Sequence, residues 1–337
     1  MLGALHRTLE SHSPNNLSLL QLGLEAISRN LRIVNKSGYL HPQYAQSLSE
    51  FGEPLELPSS QGWILKRPVP ETSQFDGMGC YPIFTCENWS NLEKDLSLLE
   101  DQLVSLSLVT DPFGDYTHQD LLHYFKDVAR PYKNHYIVDL TQPPQVFVSP
   151  HHQRNVHKAL QKVNVEICEN PIQFLDEWYS LYNNLIERHT IKGMTRFSRK
   201  SFAGQLNVPG MIAFRAVADE KTVGMVLWAI QNNVGYYHLG AYSPEGYRLK
   251  ASFALFWTLL EYFKNSGLAW LSLGAGAGLH GEEEDGLTRF KRGWATGTRI
   301  AFFCGRIFDA QKYQKSISAN KTKATNYFPA YRAGEFT

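Results

Sequence analysis

The chain has 337 residues, with 33 Lys and Arg against 32 Asp and Glu, and a pI near 7.7. That balance gives no global attraction to nucleic acid or to an anionic membrane. Hydrophobic residues make up 43% and charged residues 19%, which excludes global disorder and supports a sizeable core. At roughly 100–200 residues per domain the length suggests two domains or one large one. No apolar run reaches ~18 residues and the N-terminus lacks a long apolar stretch, so neither a membrane span nor a signal peptide is expected. A cytoplasmic location follows as the expectation. Cys80, Cys86, Cys168 and Cys304 form no CxxC pair; they read as free thiols, and no metal site is expected.

The first half mixes helices and strands. Leu17, Leu20, Leu24, Ile27 and Leu31 recur at helical spacing, with Asn16 as a cap. Residues 52–70 read as loop plus a short strand in GWILKRPVP. Leu92, Leu96, Leu99 and Leu103 stripe a helix over 90–106, and Leu106, Leu108 and Val109 lead as a strand into the turn Asp111-Pro112-Phe113-Gly114-Asp115. A helix over 117–129 and a strand over His135–Leu140 follow. Gln142-Pro143-Pro144 reads as a linker, which divides the chain into residues 1–148 and 149–312. The residues after 312 are polar and read as a mobile tail, 313–337.

The second half is more regular. Helices are predicted over 150–163, with Val156, Ala159, Leu160 and Val163 inward, and over 171–189. Strands over 211–218, 222–231 and 234–242 are joined by turns short enough for an antiparallel meander. The loop Ser243–Lys250 leads to a helix over 252–265, a strand over Leu268–Leu273, and the run Gly274-Ala275-Gly276-Ala277-Gly278. Those glycines follow a strand of an antiparallel-led unit and do not make a dinucleotide fingerprint.

The order meander, loop, helix, strand in 211–274 resembles the core of GNAT acyltransferases. Three segments are similar to the Fem-like branch: Ser149–Ala159 (SPHHQRNVHKA), Ser243-Pro244-Glu245-Gly246-Tyr247, and Asp285–Trp294 (DGLTRFKRGW). The resemblance spans about 149–300. It implies an α+β chain of two GNAT-like lobes, each a largely antiparallel mixed sheet flanked by helices, the first lobe degenerate. It also implies that strands 234–242 and 268–273 splay to hold an acyl arm. The chain departs from the GNAT pyrophosphate loop, with Ala251 where the first Gly falls and Phe253 where a small residue falls. It shows no long charged heptad pattern for the helical arm that bridge-forming members are thought to set against tRNA.

Acyl transfer to an amine needs proton removal, donors for the oxyanion, and a held acyl arm. His238, mid-strand, is the expected base, in one cleft with Lys291, which the resemblance places near the developing oxyanion. By alternation Tyr236, His238 and Gly240 share one sheet face, with Tyr237, Leu239 and Ala241 on the other. Gly246, Arg248, Lys250, Ala251 and Ser252 lie at a helix N-terminus, where cations and the dipole suit a phosphate-bearing donor. Arg154, Lys158, Tyr236, His280 and Glu283 are the expected contacts for the acceptor. The function expected is N-acyl transfer to an amine of a small molecule or peptide. The thioester donor, acyl-CoA or the phosphopantetheine of an acyl-carrier protein, is a co-substrate, with no tightly bound cofactor. Two alternatives stand beside it: transfer from aminoacyl-tRNA, and a non-catalytic GNAT-like scaffold whose sheet would be closed.

Overall fold

Backbone pairing joins both halves of the chain into one sheet. The computed structural model describes residues 36–190, 193–276, 285–320 and 324–335, all within one unit, Lys36–Thr337. The helix expected over 17–31 lies outside them. The strands are β1 (Glu53–Leu57), β2 (Gly62–Pro68), β3 (Phe75–Gly79), β4 (Ser105–Val109), β5 (Val128–Asp139), β6 (Asn164–Cys168), β7 (Met211–Ala218), β8 (Lys221–Gln231), β9 (Val234–Tyr242), β10 (Trp270–Gly274) and β11 (Gly297–Ile307). They form an 11-stranded sheet in the order β1-β2-β3-β4-β11-β5-β10-β9-β8-β7-β6. Longer helices among the described residues are α1 (Pro42–Ser47), α2 (Leu92–Leu98), α3 (His118–Tyr124), α4 (Pro144–Phe147), α5 (Pro150–Leu160), α6 (Leu175–His189), α7 (Arg199–Gln205), α8 (Pro244–Arg248), α9 (Ala251–Asn265), α10 (Gly286–Arg292) and α11 (Ala310–Ala319). None is long and apolar enough to cross a membrane.

The expected meander is β7-β8-β9. Asp219 and Glu220 both have positive φ, the conformation a tight two-residue hairpin turn demands. The helix expected over 117–129 stops at Tyr124, and β5 begins at Val128, seven residues before the expected start at His135. Thr117 and Asp120 close a capping box at the start of that helix. Pro131, which has no N–H to give a ladder, sits where the β5–β11 register shifts.

The expected boundary near residue 148 falls inside this sheet. β5 pairs with β10 through Trp270↔Asp139, Leu271↔Val138 and Ser272↔Ile137. β11, expected in the second lobe, lies between β4 and β5. Each half thus supplies a partner for a strand edge the other would leave open.

The two sides of the second-half sheet are covered differently. On one side, Trp178, Leu181 and Tyr182 of α6, Phe202 of α7 and Tyr44 of α1 pack with Met225, Leu227, Ala229, Tyr236 and Ala241. On the other, Phe256 and Phe263 of α9 meet Phe214, Trp228 and Tyr237. Leu160, expected inward, is exposed at the end of α5. In the first half, Leu92 and Leu96 of α2 and Leu121 of α3 pack on Ile64, Leu106, Leu108 and Cys304.

The segment expected to be mobile is docked. Tyr313 and Tyr331 are buried with Val69 and Val104. The Arg332 guanidinium donates to the two carboxylate oxygens of Asp76 at 2.6 and 2.8 Å, and Asp76 is 1% exposed. Tyr331 donates to the same carboxylate at 3.0 Å. Removing one partner of such a pair leaves a buried charge uncompensated. Arg332→Ala is therefore expected to cost about 3–5 kcal/mol in urea denaturation; a loss under about 1 kcal/mol would mean that the docked end adds little to the fold.

Candidate functional site

The site begins where a strand pair stops. β10 lies parallel to β9 through Trp270↔Val234, Leu271↔Gly235 and Ser272↔Tyr236. Past Ser272 that ladder ends, although β9 runs on to Tyr242. The β8–β9 ladder is interrupted at the same level: Leu227 faces Leu239 and Trp228 faces Tyr237, so His238 is the extra residue of a bulge. β10 itself has an irregularity between Ser272 and Gly274 against β5, and Gly274 has φ +72°. The pairing of β9 and β10 therefore stops within the sheet, and this break, between the two strands that the resemblance implied would part, is the slot considered below.

Lys291 stands at this slot. It is 6% exposed and donates from Nζ to the Ala275 carbonyl at 2.6 Å. Its ammonium lies 5.6 Å from the centre of the Tyr237 ring, on the α9 side of the sheet. Burial, helped by Lys133, lowers its pKa to about 7, against the pull of Asp285. Two of the sequence segments meet to hold it. Ser149 N–H donates to the Gly293 carbonyl at 2.9 Å. His152 bridges Ser149 Oγ at 2.8 Å and the Phe290 carbonyl at 2.9 Å, among the rings of Phe253, Phe290 and Trp294. Gly293 has no side chain because one would come 2.1 Å from the His152 ring. His152 thus fixes α10, and α10 carries Lys291.

The shared His238–Lys291 cleft is corrected. His238 points to the opposite side, among Tyr39, Tyr44, Tyr81 and Phe197. Its Nδ1 meets Tyr39 Oη at 3.1 Å and its Nε2 meets Gln205 Oε1 at 3.0 Å. Both nitrogens are engaged, and burial lowers its pKa to about 3. Such a ring is a structural hydrogen-bond bridge, not a base open to an acceptor. The simple alternation along β9 also fails. After the bulge, Leu239 and Ala241 lie on the His238 side, while a side chain at Gly240 would strike Tyr237.

The donor residues divide. A Cβ at Gly246 would meet the Val223 carbonyl at 1.9 Å, so this glycine serves close packing of α8 on β8. Ala251 is fully buried. Neither is open to a ligand. Arg248 is exposed and paired with Glu245. Lys250, with φ +59°, donates to Asn155 Oδ1 at 2.6 Å. No side chain caps α9, whose first turn holds the half-buried Ser252. Lys250 and Ser252 are thus the two of the five that stand at the helix start without being sealed. Arg154 and Lys158 lie exposed on α5, and His280 and Glu283 lie outside the described residues.

Tyr236 is buried at the last β9–β10 pair, and its hydroxyl is committed to Asp111, at 2.8 and 3.0 Å. Asp111 also accepts from Phe113 N–H at 2.9 Å, Gln231 and Thr85. Burial raises its pKa to about 6, despite those hydrogen bonds and Arg299. The Arg299 guanidinium lies 4.3 Å from the Phe113 ring and 5.3 Å from the Trp270 ring. Beside Trp270, Ser272 Oγ meets His135 Nδ1 at 3.4 Å. Sequence reasoning passed over His135 and Asp111 because they sit in the first half, and only the β5–β10 pairing brings them to the slot. Among the described residues no group of His, Cys, Asp and Glu is placed to hold a metal ion.

Residues 152–292 match an acetyltransferase (GNAT) domain family. No curated protein matches the chain in sequence. Among solved structures, the C-terminal domain of a putative lysylphosphatidylglycerol synthetase from Agrobacterium fabrum superposes with a TM-score of 0.59 at 12% identity, over 89% of this chain and 96% of that one. FemX gives 0.59 at 13% identity, over 87% and 98%. L-PGS from Bacillus licheniformis gives 0.54 at 15% identity, over 84% and 97%. At these identities the likeness establishes the fold.

The placement of His238 has a measurable outcome. The folded state holds its pKa near 3 against 6.5 for the free group, so it excludes a proton that the unfolded chain binds. Stability is then lost as pH falls below about 6.5. His238→Ala is expected to cost about 2–4 kcal/mol, since it strands Tyr39 and Gln205. His238→Gln is expected to flatten the fall of Tm between about pH 7.5 and pH 5. An unchanged Tm in the alanine variant, by calorimetry, would contradict the bridge.

Proposed function

We propose that this chain, a GNAT domain within a Fem-like fold, is an acyltransferase that moves an acyl group from a thioester, on CoA or a carrier protein, to an amine of a small molecule or peptide. The observation that carries this reading is the parting of β9 and β10 after Tyr236 and Ser272, with the buried Lys291 at the gap. A ladder continued along the whole of β9 would favour a binding scaffold; the end of pairing after Ser272 supports a transferase. The donor's extended arm lies along the β9 edge on the α9 side, and its phosphate end meets the uncapped start of α9 beside Lys250. The acceptor comes from the α6 and α7 side. The amine lone pair attacks the acyl carbon, forming C–N; the carbonyl oxygen takes the negative charge; collapse breaks C–S, and the thiolate leaves as a thiol after gaining a proton. Protonated Lys291 stabilises the oxyanion in a site where burial makes its charge count for more than it would in water.

The likeness to FemX and to a lysylphosphatidylglycerol synthetase domain favours one second reading, in which the acyl group is an aminoacyl ester on tRNA. Native mass spectrometry of freshly purified protein separates the two. Co-purified CoA or an acyl-carrier species is the expected result. Bound RNA, released steeply as salt rises, would move the assignment to the second reading.

Lys291 makes a two-sided expectation. Lys291→Met should lower kcat on the order of 10²–10³-fold. Wild-type kcat should fall as pH rises through about 7, where Lys291 loses its proton, and the variant should lack that limb. Stability should move the other way. The folded pKa lies below the free value of 10.5, so the buried ammonium costs most at and below about pH 7, and the cost fades toward pH 10.5. The methionine variant should melt higher than wild type at about pH 6, with the gap shrinking by about pH 9. A variant that keeps its turnover and melts lower would remove Lys291 from this role.

A further inference from the structure

We propose that His135 is the base that takes the acceptor's proton, with Ser272 as its positioning residue; this rests on the acyl-transfer reading above. His135 comes from β5, the first-half strand that pairs with β10. Ser272 is the last residue of β10 to pair with β9, opposite Tyr236. It is two residues on from Trp270, which packs into the α6 and α7 side of the sheet, so Ser272 lies on that side too. Its contact with His135, 3.4 Å from Oγ to Nδ1, places the imidazole there as well. Lys291 approaches the same slot from the α9 side, beside Tyr237. The gap thus has a cation on the donor side and an imidazole on the acceptor side.

The two histidines on this side of the sheet differ in one respect. His238 has both nitrogens engaged. His135 has one engaged, and among the described residues no hydrogen bond occupies its Nε2. That nitrogen is not among the buried polar atoms sealed off without a partner, although the residue is 9% exposed. In the proposed tautomer, with the proton on Nδ1, Nδ1–H donates to Ser272 Oγ and the Nε2 lone pair is left for the slot. The charged groups facing it are Lys291 of α10 and Lys133 of β5, with Arg299 its register partner on β11. With burial, the two lysines keep the ring neutral at physiological pH. Its pKa of about 4 makes it a weak base, so it takes the proton as C–N forms, when the nitrogen has become a strong acid. The imidazolium then returns that proton to the departing thiolate, so the cycle closes without another reactant.

The test uses the full chain, with acetyl-CoA as donor probe and hydroxylamine as a small nucleophile. His135→Gln is expected to lower kcat by roughly 10²–10⁴-fold, with the KM for acetyl-CoA within about threefold and Tm nearly unchanged. Ser272→Ala should lower kcat less, and Ser272→Thr, which restores the hydroxyl, should recover most of it. Imidazole ¹⁵N spectra, assigned by loss of the signal in His135→Gln, should show a neutral ring with its proton on Nδ1, and that preference should vanish in Ser272→Ala. Near-native kcat in folded His135→Gln, or a proton fixed on Nε2, overturns the inference. Calorimetry with acetyl-CoA tests the parent reading separately. Wild type that neither binds nor turns over the probe sinks the thioester donor, and the ¹⁵N spectra then decide the state of His135 by themselves. A variant that binds the probe like wild type and lacks turnover supports both.

Discussion

Three residue pairs hold β10 to β9, Trp270–Ser272 on Val234–Tyr236, and the site depends on the ladder going no further. A strand that loses its neighbour inside a sheet leaves backbone donors and acceptors that must be met by something else. Here the sheet stays intact because β10 is anchored on its other edge by β5, and β5 in turn by β11. The gap is therefore local and rigidly framed. The bulge at His238 on one strand and the left-handed Gly274 on the other are the backbone irregularities that a change of direction requires.

Around that gap, polar groups are arranged by burial as much as by pairing. Lys291, His135 and Asp111 all have pKa values displaced from those of free side chains, with burial the largest cause of each. Clusters of this kind are found at functional sites and in structural networks alike. Geometry separates the two cases here. Asp111 is fully met by Tyr236, Phe113, Gln231 and Thr85, as His238 is by Tyr39 and Gln205. These two hold together the aromatic packing on the α6 and α7 side of the sheet. Among the described residues, the side chains of Lys291 and His135 each make a single hydrogen bond.

Much of the second half was legible in sequence because its signals are local. The meander, the helix after Ser243 and the returning strand have strong periodicity and clear turns, and the expected bounds lie within a few residues of those observed. The β9–β10 pair and Lys291 stood out through the Fem-like resemblance, not through periodicity. What was lost depends on contacts distant in sequence. The bulge at His238 is set by its pairing with β8 and reverses the face of every later residue in the strand. His135 lies in a strand whose partners are residues 270–274 and 297–305, and no local pattern announces that. The polar C-terminal residues looked free because their buried anchors, Tyr331 and Arg332 on Asp76, are contacts that span most of the chain.

The position of β11 also has a bearing on how the molecule is made. Residues 297–307 fill the space between β4 and β5, so during synthesis the first half emerges with those two edges unpaired. They stay so until residues 140–296 and then β11 have been translated. Closing a loop of that length is slow, and open strand edges invite pairing with other chains meanwhile. The nascent protein is therefore exposed to self-association until β11 arrives. The insertion that unites the two halves makes the first half a natural client for chaperones while the ribosome is still at work.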